Sequence, residues 1–121
     1  MSVFFDPVES RDIEMFFNEF FHQDGVFFEI ISNSIGIGFY GVKTITEKVC
    51  EISVYFNEKG RWKITKEIAL KCLKFPFLLG FDKIVIRTEL QKMKRFLCKL
   101  TKYGVKYLFE HNGLYLFEVL L

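Results

Sequence analysis

Val49-Cys50-Glu51-Ile52-Ser53-Val54-Tyr55-Phe56, a helical stretch from Arg61 to Leu79, and Lys83-Ile84-Val85-Ile86-Arg87 follow one another along the chain, and this run decides the fold. The first segment is rich in β-branched and aromatic residues and the last is almost continuously apolar, so both read as strands. A strand that returns parallel to its predecessor needs a crossover of helix length, and one buried on both faces loses its polar alternation. In the crossover, Ile64, Ile68, Cys72, Phe75 and Leu79 share one stripe, while Lys63, Lys66, Lys71 and Lys74 lie largely off it. Pro76 is expected to end or kink this helix early, because proline has no N–H for the carbonyl four residues back. Gly80 suits the terminus.

Toward the amino end, Ile35–Ile45 and Val26–Ser32 are two more strands, with polar turns at Asn33-Ser34 and Thr46-Glu47-Lys48. Gly36, Gly38 and Gly41 punctuate the middle strand and mark a bulge or a close backbone approach; no helix starts after them to form a phosphate cradle. Residues 2–5 are a short apolar strand ended by Asp6-Pro7, and Arg11–Gln23 is a helix whose Ile13, Phe16, Phe17, Phe20 and Phe21 make one buried face. Toward the carboxyl end, Leu90–Tyr103 is a helix closed by Gly104, with Leu90, Met93, Phe96, Leu97 and Leu100 inward. Val105–Phe109 and Leu114–Leu120 are strands joined across Glu110-His111-Asn112-Gly113, a hairpin signal because Asn-Gly tolerates positive φ. The order is β-α-β-β-β-α-β-α-β-β, an α+β class with a mixed sheet. No linker or repeat interrupts it, so residues 1–121 are expected to be a single domain.

Composition supports one packed unit. Half of the 121 residues are hydrophobic, and there are 16 Phe against two Pro and a single alanine, Ala69, which leaves little for a disordered tail. The longest apolar stretch, Phe75–Phe81, is far short of the roughly 20 residues of a membrane span. No basic region precedes an apolar core at the amino end, so an intracellular product is expected. Cys50, Cys72 and Cys98 form no C-x-x-C pair and the histidines are His22 and His111 alone, so no metal site is expected and the cysteines read as small buried hydrophobes. Net charge is only +2, yet residues 1–57 hold three bases and nine acids while residues 58–106 hold fourteen bases and four acids. Two accounts of that basic block stand: lysines solvating the outer faces of two helices, or a surface for nucleic acid, phosphate or an acidic partner.

The succession of elements resembles the GNAT superfamily, the acyl-CoA-dependent N-acetyltransferases. Cys50–Asn57 is similar to that family's fourth strand, Arg61 stands where the family has the Arg or Gln of R/Q-x-x-G-x-G/A, and Leu79-Gly80-Phe81-Asp82-Lys83-Ile84-Val85 resembles its approach to the fifth strand. Leu100–Val105 resembles the closing turn after its last helix. The resemblance implies a strongly twisted mixed sheet with helices on both faces, and a splay between the fourth and fifth strands where acyl-CoA lies. In an active member, Arg61, Trp62, Lys63, Ile64 and Thr65 would face the cofactor, and Glu51 matches a position that sometimes supplies a general base through water.

Departures from the pattern point away from activity. The family's two small loop positions fall on Ile64 and Lys66, so a β-branched side chain and a lysine stand where bare backbone would meet the pyrophosphate. The family's tyrosine general acid and its asparagine one heptad earlier fall on Leu100 and Met93, neither of which transfers a proton. Tyr103 reads as a helix-end packing residue, Glu51 as a strand carboxylate facing solvent, and His22, His111 and Asp82 as surface or turn residues. Arg95-Phe96-Leu97, Gly104 and Gly113-Leu114-Tyr115-Leu116-Phe117 also resemble short GNAT-like internal virion and head-assembly proteins of tailed phages. That resemblance implies a noncatalytic structural pseudoenzyme of a virion, without cofactor, partnered by other virion or assembly proteins and located in the virion or the host cytoplasm. Two alternatives remain: an active acetyl-CoA-dependent N-acetyltransferase using Glu51, and an anion or nucleic-acid binding module built on residues 58–106.

Overall fold

A computed structural model describes residues 3–8, 25–57 and 65–120. The strands are β1 (Val3–Val8), β2 (Gly25–Ser32), β3 (Ile35–Thr46), β4 (Val49–Phe56), β5 (Lys83–Thr88), β6 (Val105–His111) and β7 (Leu114–Leu120). The described helices are α1 (Lys66–Leu78), between β4 and β5, and α2 (Gln91–Cys98), between β5 and β6. All seven strands join one sheet in the order β1-β2-β3-β4-β5-β7-β6. Every pairing is antiparallel except β4 with β5, as the crossover through α1 requires. The helix expected at 11–23 lies outside the described residues.

Local chemistry explains most of the boundaries. Asn33 and Ser34, at φ 51° and 67°, and Asn112 and Gly113, at φ 50° and 82°, form two-residue hairpin turns whose positive φ matches the twist of their strands. The second turn is therefore shorter than the four residues read from the sequence, and β6 runs on to His111. β1 likewise continues through Asp6-Pro7 to Val8, with Pro7 opposite Phe28. It is an edge strand, where a residue without an N–H is tolerated. The β2–β3 ladder slips between Ile30, opposite Gly38, and Ile31, opposite Gly36, so Ile37 is an extra, fully buried bulge residue. Of the two readings of this strand's glycines, the bulge is the one observed; a Cβ at Gly36 would meet only the flexible end of the Glu29 side chain, Oε2 at 2.6 Å, and no backbone.

Two helices depart from expectation. α1 runs through Pro76 without ending there, because the Tyr40 hydroxyl donates to the Cys72 carbonyl, the acceptor that proline leaves without its usual partner. Its described start is fixed by Thr65, whose Oγ1 accepts the Ile68 amide at 3.3 Å. The single helix expected over Leu90–Tyr103 is instead α2 followed by a 3-10 turn, Thr101–Tyr103. The Lys99 and Leu100 amides reach back only three residues, to the Phe96 and Leu97 carbonyls. That tightening brings Leu97 and Leu100 onto one side, and both are buried. Gly104, at φ 91°, then reverses the chain, and its carbonyl accepts the Leu120 amide.

The core lies on the sheet face that carries Tyr40, Val42, Cys50, Ile84, Phe117 and Val119. Phe75 of α1 stacks on Phe5 at 4.2 Å between ring centres and meets Phe28 and Tyr40 edge-on, which fastens the helix across β1, β2 and β3. Both described helices pack on this one face. Cys50 and Cys72 are buried as expected, but Cys98, the last residue of α2, is exposed, pointing away from its buried neighbour Leu97. No described helix is long and apolar enough to cross a membrane.

Candidate active site

β4 and β5 pair at three positions only: Val49 with Lys83, Cys50 with Ile84, and Glu51 with Val85. Beyond Glu51 both strands continue, β4 to Phe56 and β5 to Thr88, yet among the described residues they form no further pair. The divergence opens a cleft of about 520 Å³. Its sides are apolar, with Val54 from β4, Ile86 from β5, Ala69 and Cys72 from α1, and Met93 and Leu97 from α2. Its polar lining is Ser53, Arg87, Thr88 and Glu89. The chain's one alanine thus sits at a wall where a larger side chain would take up the space.

Among the described residues one ion pair, Arg87 with Glu51, arranges charge at this cleft. Arg87 lies two residues past Val85, on the same face of β5, and reaches back to the last paired residue of β4. Its Nη2 is 2.6 Å and its Nε 2.8 Å from Glu51 Oε1. Glu51, expected either as a base or as a solvent-facing carboxylate, is held by a guanidinium and largely covered rather than facing solvent, with its side chain 14% exposed. Burial pushes the Cys72 thiol up to about 12 and the Cys50 thiol up to about 11, so neither of these two supplies a thiolate nucleophile at neutral pH.

The remaining expected residues divide between the described chain and its undescribed parts. Arg61, Trp62, Lys63 and Ile64 lie outside the described residues, and Thr65 serves as the cap of α1. Lys66 Nζ lies 4.8 Å from the centre of the Tyr103 ring and Lys102 Nζ 5.2 Å. A hydrogen bond from Lys66 and the charge of Lys102 hold the Tyr103 hydroxyl below its usual range. The Tyr103 carbonyl accepts from Lys74 Nζ at 2.6 Å, which ties the 3-10 turn to α1. Leu100 is buried in the core and Met93 lines the cleft, so neither places a proton donor there. His111 is an exposed strand-end residue beside Asn112, Asp82 is exposed ahead of β5, and His22 is outside the described residues. Sequence reasoning missed Glu89 and Arg87: their positions at the end of β5 carry no motif, and only the divergence of the strands brings them to a cavity.

This architecture, a mixed sheet opened between a parallel pair of strands with a helix crossing between them, is the GNAT fold. Three solved structures of that fold show the likeness. A chimera of the spermidine N-acetyltransferase SpeG from Vibrio cholerae and hSSAT superposes with a TM-score of 0.70 at 11% identity, covering 99% of this chain and 96% of that one. The N-acetyltransferase PseH of Campylobacter jejuni, in complex with acetyl coenzyme A, gives 0.67 at 13%, covering 98% and 99%. An acetyltransferase of Bacillus subtilis in complex with CoA gives 0.67 at 17%, covering 99% of each chain. No protein-family model matches the chain, and no curated protein matches it by sequence. These neighbours overturn the expectation of a noncatalytic virion component: they are acetyltransferases, and the last-third resemblance to phage assembly proteins finds no counterpart among them.

Proposed function

We propose that the protein is an acyl-CoA-dependent N-acyltransferase, and the cleft between β4 and β5 is the observation that carries this reading. Its volume of about 520 Å³ falls within the roughly 300–1,000 Å³ of small-molecule sites. The β5-facing edge of β4 beyond Glu51 offers main-chain groups to a ligand that itself contains amides, as the pantetheine arm does. At the described start of α1, Thr65 takes the Ile68 amide, and the Lys66 and Glu67 amides have no acceptor within the helix, as at any helix start. Lys66 and Lys102 add positive charge beside that turn, suited to phosphate, and Arg61 and Lys63 directly precede it in sequence. Acyl-CoA supplies an activated thioester: the acceptor nitrogen bonds to the acyl carbon, the C–S bond breaks with its electron pair going to sulfur, and a proton from nitrogen ends on that sulfur. The chain's contribution is to hold the thioester against the apolar walls of the cleft, oriented toward the acceptor.

Calorimetric titration with acetyl-CoA, followed by thiol release with a panel of amines, tests this reading. Micromolar binding and amine-dependent thiol release are expected. Absence of both acetyl-CoA and CoA binding by the folded protein would sink it.

A further inference from the structure

We infer that the outer face of α2 and of the 3-10 turn after it binds the sugar-phosphate backbone of duplex nucleic acid, without reading its sequence. Between Glu89 and Glu110 the chain carries six bases, Lys92, Lys94, Arg95, Lys99, Lys102 and Lys106, and no acid. The structure sorts them. Lys94 is turned over the Tyr107 and Tyr115 rings, 5.1 and 4.6 Å from their centres, and Lys106 lies on β6 opposite Glu118. Lys92, Arg95 and Lys99 recur at three and four, one per helical turn, and Lys102 follows three residues later, where 3-10 geometry stacks it on Lys99. All four are exposed, and among the described residues none of them forms an ion pair. The row is a stripe of cations roughly 16 Å long, at about 1.5 Å per helical residue and about 2 Å per 3-10 residue.

Solvation alone does not call for such a stripe. Like charges three and four residues apart repel, and a solvated helix face is served as well by mixed signs. The choice among polyanions follows from what this face lacks. A protein interface has an apolar centre within a polar rim, whereas the exposed residues interspersed with these cations are Cys98, Thr101 and Met93, the last of which belongs to the cleft. Insertion into a lipid surface needs the apolar side of the helix, and here Leu97 and Leu100 are buried and Phe96 lines the cleft. A single strand is held by stacking on open aromatic rings, but Tyr103 and Tyr107, which adjoin the stripe, each have a lysine over the ring. Phosphate contacts need cations only. A duplex carries one negative charge per about 1.7 Å of its axis, so all four side chains find phosphates within the length of the stripe.

Fluorescence anisotropy with a labelled duplex of about 24 base pairs, titrated between about 50 and 200 mM NaCl, tests this. Four phosphate contacts at about 0.9 each give a log–log slope of about −3.6, so affinity should fall roughly 150-fold across that range. A duplex of unrelated sequence should bind equally well. Lys92→Gln combined with Lys99→Gln should bring the slope to about −1.8 and weaken binding, with the unfolding midpoint unchanged. Lys43→Gln combined with Lys48→Gln removes the same net charge away from the stripe and should leave the slope as it is. Absence of binding at the lowest salt, an unchanged slope in the stripe variant, or an equal loss in the Lys43 and Lys48 variant would each overturn the assignment. So would tighter binding of the single strand, of inorganic polyphosphate or of phosphatidylserine vesicles. None of these measurements involves acetyl-CoA, so this surface stands or falls separately from the acyltransferase reading.

Discussion

Replacing Tyr40 by phenylalanine should destabilise the protein by about 2 kcal/mol, although it deletes a single oxygen. Tyr40 is fully buried, and its hydroxyl donates to the Cys72 carbonyl. In an uninterrupted helix that carbonyl would accept from residue 76, but Pro76 has no N–H. Removing the hydroxyl gives up a net contribution of about 1 kcal/mol and leaves an acceptor short of its partner in the core, at about 1–3 kcal/mol. With an unfolding entropy of about 2.1 cal/mol/K per residue, a chain of this length has about 0.25 kcal/mol/K, so the melting temperature should fall by about 8 °C. Pro76→Ala restores an amide aimed at the same carbonyl, so Tyr40→Phe in that background should cost less than half as much. Urea denaturation of the four proteins of this cycle measures the coupling, expected at about 1 kcal/mol with unchanged m-values. Equal losses in both backgrounds, or a loss below about 0.5 kcal/mol in the parent, would refute the account of how α1 passes its proline. The outcome bears on function, because Cys72 and Ala69 carry one wall of the cleft.

Three further predictions follow from the same geometry. Ala69→Phe adds a ring at a buried position of the cleft wall, so acetyl-CoA affinity measured by calorimetry should fall at least about tenfold alongside a stability loss of about 1–3 kcal/mol; undiminished binding by the folded variant would place the ligand elsewhere. Gly104→Ala meets both a φ of 91° and the Leu120 carbonyl 2.7 Å from its Cβ, whereas Gly113→Ala meets only a φ of 82° in open surroundings. Chemical unfolding should therefore show the first to be the costlier, by more than the roughly 1 kcal/mol of a left-handed residue, and equal losses would contradict the close approach. Burial raises the folded pKa of Cys50 to about 11, of Cys72 to about 12 and of Tyr40 well above its usual value. Their contribution to stability is thus intact below about pH 9 and is lost as pH climbs toward 12, because the unfolded chain then releases protons that the folded one retains. Alkaline denaturation monitored by circular dichroism checks this, and iodoacetamide at pH 8 should label Cys98 alone until the protein unfolds.

Much of this fold was legible in the sequence because its strands carry their own punctuation. β4 and β7 run over the spans that their side-chain pattern marks, and Asn112-Gly113 fixes its hairpin with two residues that accept positive φ. The misreadings share a cause: propensity rules are local, and long-range partners override them. Pro76 breaks a helix only if its orphaned carbonyl stays unpaired, and the donor comes from Tyr40, 36 positions away. Pro7 ends a strand only where its missing amide is needed, and on an edge it is not. A helical stripe reaching Leu100 looked continuous because positions three and four apart are both compatible with burial, so the change to 3-10 geometry left no mark on the pattern. The site was less legible still. Glu51 was visible as a strand carboxylate, but its partner Arg87 is assigned by strand register, and Glu89 gains meaning only where two strands part.

The substitution of Lys66 for a small residue illustrates why a motif position and a physical requirement are different things. The expected obstacle was steric: a long side chain covering backbone amides that an anion must touch. Side chains of a helix project radially, whereas the free amides of its first turn point along the axis, so bulk at a helical position screens them poorly. Lys66 is the first helical residue of α1, and its Nζ lies over the Tyr103 ring, 4.8 Å from its centre. What a glycine would supply at that point is conformational range rather than empty space, and a residue already helical does not need it. A lysine at position 66 therefore removes no amide, and it adds a cation within reach of the same turn. If this is correct, Lys66→Gly should weaken acetyl-CoA binding, through loss of that charge and a frayed helix start, whereas a steric block predicts tighter binding. Calorimetry on this one variant decides between them, with Lys66→Met separating charge from bulk.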